Sequence, residues 1–269
     1  MGKQLSIIGC GWLGLPLAKS FINDGYRIKG STTSPDKLEA LTQSGIDSYY
    51  IELNETNIIG NYSGFLSGSE TLIINIPPGL RKNLTKNHVA EITHLISAIQ
   101  EHNIKHVLYI SSTSVFKDNY DFPKITDINT PNETSNSATQ LIQIEDMLRA
   151  NSSFETTILR FGGLFDEERH PAKYLSGKIN VSNPEAPINL IHKLDCIEII
   201  KLIFQNTVWN VTLNASYPKH SIKRFYYSNY CKEYNLPLPI FNSSEKSKGK
   251  IIDSANLVQL LNYTFKQAP

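Results

Sequence analysis

Hydrophobic and polar positions alternate along this chain between two periods. Short runs at residues 5–8, 26–30, 48–53, 71–76, 105–111 and 156–160 read as strands, and Thr71-Leu-Ile-Ile-Asn-Ile76 is the plainest of them. Between these runs the spacing is helical. Residues 12–24 form one such stretch, which Gly25 can end, and Ser34-Pro35 caps and starts another that Gly45 closes. Residues 87–102 carry Val89, Ile92, Leu95, Ile96 and Ile99 on one face, and 137–150 carry Leu141, Ile144 and Leu148. Apolar strands separated by helices predict an α/β fold, a doubly wound parallel sheet covered on both faces in the order 3-2-1-4-5-6. After Phe161 the pattern changes, with longer loops, Pro171, Pro184 and Pro187, and short elements. Residues 1–161 are therefore expected to form the sheet domain. Residues 162–269 are expected to form a small substrate-binding lobe over the carboxyl ends of the strands, interleaved with the last of them.

The first strand runs straight into Gly-x-Gly-x-x-Gly, at Gly9, Gly11 and Gly14, and a helix follows at once. That context is the dinucleotide fingerprint of a Rossmann fold. One glycine permits the turn, one lets backbone approach a pyrophosphate, and one lets helix and strand pack closely. A tight turn with no ligand is the plainer reading of the same residues. The loop residues Gly9, Cys10, Gly11, Trp12, Leu13 and Gly14 are the first cofactor candidates. Cys10 sits where a small side chain is needed and is not read as a nucleophile. The second strand ends in Ser31-Thr-Thr-Ser-Pro-Asp-Lys37, and no acid occupies Ser31 to Ser34, where one would hold the 2′-hydroxyl of NAD. Ser31, Thr32, Thr33 and Lys37 can instead accept a 2′-phosphate, which favours NADP over NAD. Ile76, Pro77 and Pro78 end the fourth strand, where the ribose and nicotinamide should pass.

Composition narrows the picture further. With 269 residues and 40% hydrophobic positions, the chain can bury a large core. Its 26 basic and 25 acidic residues nearly cancel, so neither nucleic acid nor a membrane is expected as a bulk electrostatic partner. No apolar run approaches the ~20 residues of a membrane span. The first strand begins at the N-terminus, which argues against a signal peptide. Three scattered cysteines, Cys10, Cys196 and Cys231, read as reduced thiols, and the seven histidines lack metal-ligand spacing. A cytoplasmic protein with a small-molecule substrate and no metal is expected.

At the fifth strand the chain reads Tyr109-Ile-Ser-Ser-Thr-Ser-Val-Phe116, followed later by Ile158-Leu-Arg-Phe-Gly-Gly163 and Asn189-Leu-Ile-His-Lys-Leu-Asp195. With the glycine motif, these segments resemble the extended short-chain dehydrogenase/reductases, the fold of nucleotide-sugar epimerases and dehydratases. Trp12-Leu-Gly14, Arg169-His-Pro171, Gly177-Lys178 and Gly249-Lys-Ile-Ile-Asp253 are similar to an atypical, YeeZ-like branch of that family. The resemblance implies a Ser or Thr at the end of strand five that holds the substrate oxygen. It also implies a Tyr that transfers the proton and a Lys four residues later that binds the nicotinamide ribose. Ser112, with Thr113 beside it, matches the first. Ser137 and Leu141 stand where the Tyr and Lys should be, so the usual acid–base pair is missing. Tyr120-Asp-Phe-Pro-Lys124 repeats the spacing, but Pro123 bars a helix carrying both side chains on one face.

Ser112, Thr113 and Tyr174 are the catalytic candidates, and Arg169, His170, Lys178 and His192 the substrate-binding ones. Arg and Lys suit an anionic group, whereas His192 also reads as a structural hydrogen bonder. Two functions remain open. One is an NADP-dependent oxidoreductase or epimerase-like enzyme acting on a small anionic or nucleotide-sugar-like substrate. The other is a non-catalytic NADP(H)-binding redox sensor or partner-binding module. In the family the two long helices often pair between subunits, so a homodimer through 87–102 and 137–150 is a further expectation.

Overall fold

The computed structural model describes residues 3–80 and 83–269. In chain order the elements are β1 (Gln4–Ile8), α1 (Gly14–Asn23), β2 (Arg27–Thr32), α2 (Leu38–Gln43), β3 (Asp47–Leu53), β4 (Ile58–Gly60), α3 (Tyr62–Leu66) and β5 (Thr71–Ile74). Then follow α4 (His88–Glu101), β6 (His106–Ser112), β7 (Lys124–Ile125), α5 (Asn136–Ala150), β8 (Glu155–Phe161), β9 (Gly163–Phe165) and α6 (Pro171–Leu175). The chain closes with β10 (Leu190–His192), α7 (Lys193–Gln205), β11 (Thr212–Ala215), α8 (Lys223–Glu233), β12 (Ile251–Ile252) and α9 (Ala255–Leu261).

The main sheet runs β11-β8-β6-β5-β1-β2-β3-β4. Its stretch β3-β2-β1-β5-β6-β8 is the doubly wound order that the sequence predicts. β1 pairs in parallel with β2 and β5, placing Ile7 opposite Gly30 and Ile73, and Ile8 opposite Ile74. These strands are buried along nearly their whole length, as strands covered on both faces must be. The sequence pattern assigns no element to the segment between β3 and β5. That segment holds the antiparallel edge strand β4 and the short helix α3, whose carbonyls at Gly64 and Ser67 accept hydrogen bonds from Lys29 Nζ at 2.6 and 2.7 Å. A cation is favourable there, at a helix C-terminus.

Two local expectations need correction. The helix after Pro35 is split into a 3₁₀ turn over Pro35–Lys37 and the six-residue α2. Ser34 does not cap it with its side chain, because Thr32 Oγ1 accepts the Ser34 N–H at 3.1 Å and holds the turn from the preceding strand. β5 stops at Ile74, two residues early. Asn75 N–H still donates to Ile8 O, while its side chain turns aside to the glycine loop.

The chain divides into two compact units. The first comprises the residues up to Ser112, Thr134–Leu159 and Ile200–Thr212. Its core is built on β1, β5 and β6 with Leu17 and Phe21 of α1 and Ile92, Leu95 and Ile99 of α4, all buried. Asn87, expected inside α4, is its N-cap and accepts the Ala90 N–H at 3.0 Å. The second unit comprises Thr113–Glu133, Arg160–Ile199 and Leu213–Pro269. It contains the parallel pairs β9–β10 and β7–β12 and a cluster of Phe165, Ala172, Ile188, Leu190, Tyr227 and Cys231. Asn189 ties this unit together. Its Nδ2 donates to Lys250 O and its Oδ1 accepts the Ile252 N–H, both at 2.8 Å, so one side chain imitates a strand neighbour for β12. Replacing Asn189 by Leu removes both bonds and should lower unfolding stability by about 1–3 kcal/mol, measured by urea denaturation. An unchanged midpoint would contradict this role.

Candidate cofactor loop and active-site residues

The glycine loop is built to hold backbone close to backbone. Gly9 has φ +96°, and a Cβ there would lie 2.4 Å from Asn75 O. A Cβ on Gly14 would lie 2.2 Å from Gly9 O, so α1 can start against the loop only with glycine at that position. Gly9 O also accepts a hydrogen bond from Asn75 Nδ2 at 3.0 Å, and Cys10 N–H donates to Ser31 O at 2.8 Å. Gly11 differs: a Cβ there would meet nothing within 4 Å. The loop is therefore packed at two glycines and open at the third, just before α1, where the Gly11 N–H donates to Gly9 O at 2.9 Å and the Leu15 N–H to Gly11 O at 3.0 Å. This is the cradle that a pyrophosphate needs, and the residues present fit the dinucleotide. Cys10 fills the space over Gly30, and burial pushes its thiol up to about 12, which keeps it protonated. It has no nucleophilic character.

Beyond β2, Ser31 is buried and its Oγ accepts the Gly9 N–H at 3.3 Å, while Thr32 is occupied with the Ser34 N–H. Thr33 and Lys37 are exposed. Ile76 and Pro78 are partly exposed and Pro77 is exposed, just past Asn75.

Ser112 is the last residue of β6 and is partly buried, and Thr113 is buried in the turn that follows. Ser111 beside them donates to Glu145 Oε1 at 2.6 Å. Glu145 is a fully buried carboxylate of α5, and it fixes the strand end against that helix. Ser137 lies in the first turn of α5 and Leu141 is buried one turn on. A second polar cluster joins the segment before α4 to α5. His88 N–H donates to Gln140 Oε1 at 2.7 Å, His88 Nδ1 lies 2.8 Å from Glu91 Oε2, and Lys86 Nζ lies 3.0 Å from that same oxygen. Neither Glu91 nor Glu145 was singled out from sequence. Each lies on the apolar stripe of its helix, Glu91 four residues before Leu95 and Glu145 four after Leu141, and a carboxylate in that register was the available signal.

In the second unit the histidines are held tightly. His170 Nδ1 accepts the Ala172 N–H at 3.2 Å and caps α6, so the proton sits on Nε2, which faces the Tyr226 hydroxyl at 2.7 Å. Its ring stacks on Tyr230, with centroids 3.8 Å apart. Burial, then the nearby Lys173 charge, lower its pKa to about 4. His192 is likewise buried, accepts the Leu194 N–H at 3.2 Å and faces Glu167 at 3.4 Å. Asp195 accepts the Tyr263 hydroxyl and the N–H groups of Lys266 and Gln267, anchoring the C-terminal segment. Tyr174 is 63% exposed, and Arg169 and Lys178 are exposed. Among the described residues no group of His, Cys, Asp and Glu could hold a metal, and no helix is long and apolar enough to cross a membrane.

Comparisons with known proteins show the family. A model of the NAD(P)H-binding family matches residues 9–187. Protein YeeZ of Escherichia coli strain K12 is 31% identical over 268 residues, covering 98% of this chain and 96% of its own. UDP-glucose 4-epimerase from Thermotoga maritima, solved with UDP-glucose, shares the fold with a TM-score of 0.79 at 12% identity, over 98% of this chain and 94% of that one. MoeE5, solved with UDP-glucuronic acid and NAD, does so with a TM-score of 0.77 at 15% identity and the same coverage. The chain belongs to the NAD(P)H-binding family and is a homologue of YeeZ, and it shares its fold with the epimerase and with MoeE5.

The three glycines should separate by function. Gly11→Ala should keep the wild-type melting temperature but lose most affinity for the dinucleotide, because its methyl group fills the open approach. Gly14→Ala should lower the melting temperature as well, since its methyl group collides with Gly9 O. Calorimetric titration beside thermal melts reads both, and a Gly11→Ala protein with unaltered affinity would contradict the assignment. His170 gives a pH prediction. Its folded pKa lies below the value of about 6.5 usual for an unfolded chain, so between about 4 and 6.5 the unfolded state binds the extra proton. Stability should fall as pH drops through that window. His170→Asn, which can still cap α6, should flatten the slope of melting temperature against pH.

Proposed function

We propose that this protein is an NADP(H)-dependent oxidoreductase or epimerase-like enzyme for a small anionic or nucleotide-sugar-like substrate, working without a Tyr-x-x-x-Lys pair. The observation that carries the reading is Ser112 at the end of β6, braced by the Ser111–Glu145 hydrogen bond in a chain whose glycine loop is open at Gly11. A pinned strand end costs a buried carboxylate, and a hydroxyl held in place for a substrate oxygen gives that cost a use. When bound, the dinucleotide supplies or accepts the hydride. Ser112 Oγ donates a hydrogen bond to the substrate oxygen as charge builds there, and Thr113 shapes the turn behind it. Water is the simplest proton source, because both ring nitrogens of His170 are engaged. Tyr174 is exposed and stands second to water.

NADP is preferred to NAD in this reading because no acid occupies Ser31 to Ser34 at the end of β2 and the exposed Thr33 and Lys37 are there to meet a 2′-phosphate. Arg169 and Lys178 are the cations suited to a substrate phosphate or carboxylate. The UDP-sugars named with the epimerase and MoeE5 structures make nucleotide sugars the first substrates to try. The alternative, a dinucleotide-binding sensor without turnover, draws support from Ser137 and from Leu141, which is buried where the lysine would stand.

Two variants test the proposal. Lys37→Ala should weaken NADPH binding about tenfold or more and leave NADH unchanged, and equal losses would remove the assignment. Ser112→Ala should lower turnover by roughly 10²–10³ with NADPH affinity intact. Turnover would be sought with UDP-glucose, UDP-glucuronic acid and UDP-N-acetylglucosamine and with small carboxylated ketones, by NADPH absorbance and product NMR. No turnover of any of these by the wild type would favour the sensor.

A further inference from the structure

Leu141 leaves the first turns of α5 without the cation that the family resemblance places there. A different cation is delivered to the same helix start from another part of the first unit. The segment leading into α4 is stapled to α5 by three hydrogen bonds, and a fourth within α5 orients one of the side chains that make them. Asn136 Nδ2 donates to Leu84 O at 3.1 Å, Gln140 Nε2 donates to Lys86 O and Asn136 Oδ1 at 3.0 Å each, and His88 N–H donates to Gln140 Oε1 at 2.7 Å. Gln140 is the neighbour of Leu141, so the backbone of Lys86 is fixed beside the position where the lysine is missing.

The Lys86 side chain leads back toward the strand ends. A Cβ on Gly79 would lie 3.5 Å from its Nζ and 3.7 Å from its Cδ, so the stem lies along the turn that follows Pro77-Pro78. Two residues before Pro77, Asn75 holds the Gly9 carbonyl. One continuous line of contacts thus runs from the glycine loop through Asn75 and the Pro-Pro-Gly turn to an ammonium group.

That ammonium is held by design of the cluster beneath it. Lys86 Nζ lies 3.0 Å from Glu91 Oε2, and the Lys86 side chain is 28% exposed. Glu91 is buried, and its other contact is the fully buried His88 ring at 2.8 Å. Burial pushes the Glu91 carboxyl up, but the hydrogen bonds from His88 and Lys86 outweigh it and leave the pKa lowered, so the carboxylate is charged. An ordinary surface ion pair needs neither a buried carboxylate nor a buried histidine. Burying both fixes the direction of one lysine, whose ammonium has three donors and spends one on Glu91.

We propose that Lys86 supplies the cation absent at Leu141, and that its ammonium binds the hydroxyls of the ribose that carries the nicotinamide. The proposal rests on the reading above, in which the dinucleotide passes from Gly11 over Pro77 and Pro78 and the Tyr-x-x-x-Lys pair is replaced. Lys86 then orients the nicotinamide end of the cofactor, while Ser112 orients the substrate.

The test uses cofactor fragments on the full-length protein, by calorimetry, with Lys86→Met and Lys86→Arg beside the wild type. Methionine keeps the apolar stem and arginine keeps the charge, and thermal melts report whether each variant folds. ADP lacks the second ribose, whereas ADP-ribose and NADPH contain it; 2′-phosphorylated ADP and ADP-ribose serve if the 2′-phosphate proves necessary. Lys86→Met should weaken ADP-ribose and NADPH about tenfold or more and leave ADP unchanged, and Lys86→Arg should restore most of the loss. Equal losses for ADP and ADP-ribose, or no loss for either, would overturn the proposal while leaving the cofactor reading intact. A wild-type protein that binds none of these ligands would overturn the cofactor reading itself, and this proposal with it.

Discussion

Much of the first unit hangs on one carbonyl oxygen, that of Gly9. Gly14 packs against it so closely that a single methyl group would overlap it, and Asn75 binds it from the end of β5. This contact sets where α1 begins relative to β1. It also sets where the chain leaving β5 must go. The open face of Gly11 is its consequence: once Gly9 and Gly14 have closed on each other, the turn between them has nowhere to point but outward. Open space at Gly11, beside a helix N-terminus, follows from packing before any ligand is considered.

The same economy recurs in the second unit, where polar residues of the family motifs serve as fasteners. Asn189 stands in for a strand, His192 caps the start of α7, and Asp195 gathers the C-terminal segment. His170 caps α6 and is kept neutral by burial. A buried neutral imidazole with both nitrogens engaged is a poor proton carrier. Arg169 and Lys178 are exposed cations of the same unit.

How far the sequence could be read depended on the distance over which each feature is encoded. The sheet order and the glycine loop were legible because each strand carries its own apolar run and the three glycines lie within six residues. β4 and α3 were not, since Ile58–Gly60 and Tyr62–Leu66 are too short to show a period and form against neighbours already in place. The split after Pro35 was missed because Thr32, not Ser34, supplies the hydrogen bond. Of the candidate site, the motif resemblance named Ser112, which the structure places at the end of β6. Asn75, Glu145 and the Lys86–Glu91–His88–Gln140 cluster join segments far apart in the chain, and only the misplaced carboxylates on apolar helix faces hinted at them.

The central claim is that backbone N–H groups around an open Gly11 hold the diphosphate of a nicotinamide dinucleotide. Amide hydrogen exchange of the wild-type protein, with and without saturating NADPH, tests it most directly. The account predicts protection concentrated in residues 9–15, with a second zone at 75–79. Binding of NADPH that leaves residues 9–15 exchanging at the rate of the free protein would contradict it.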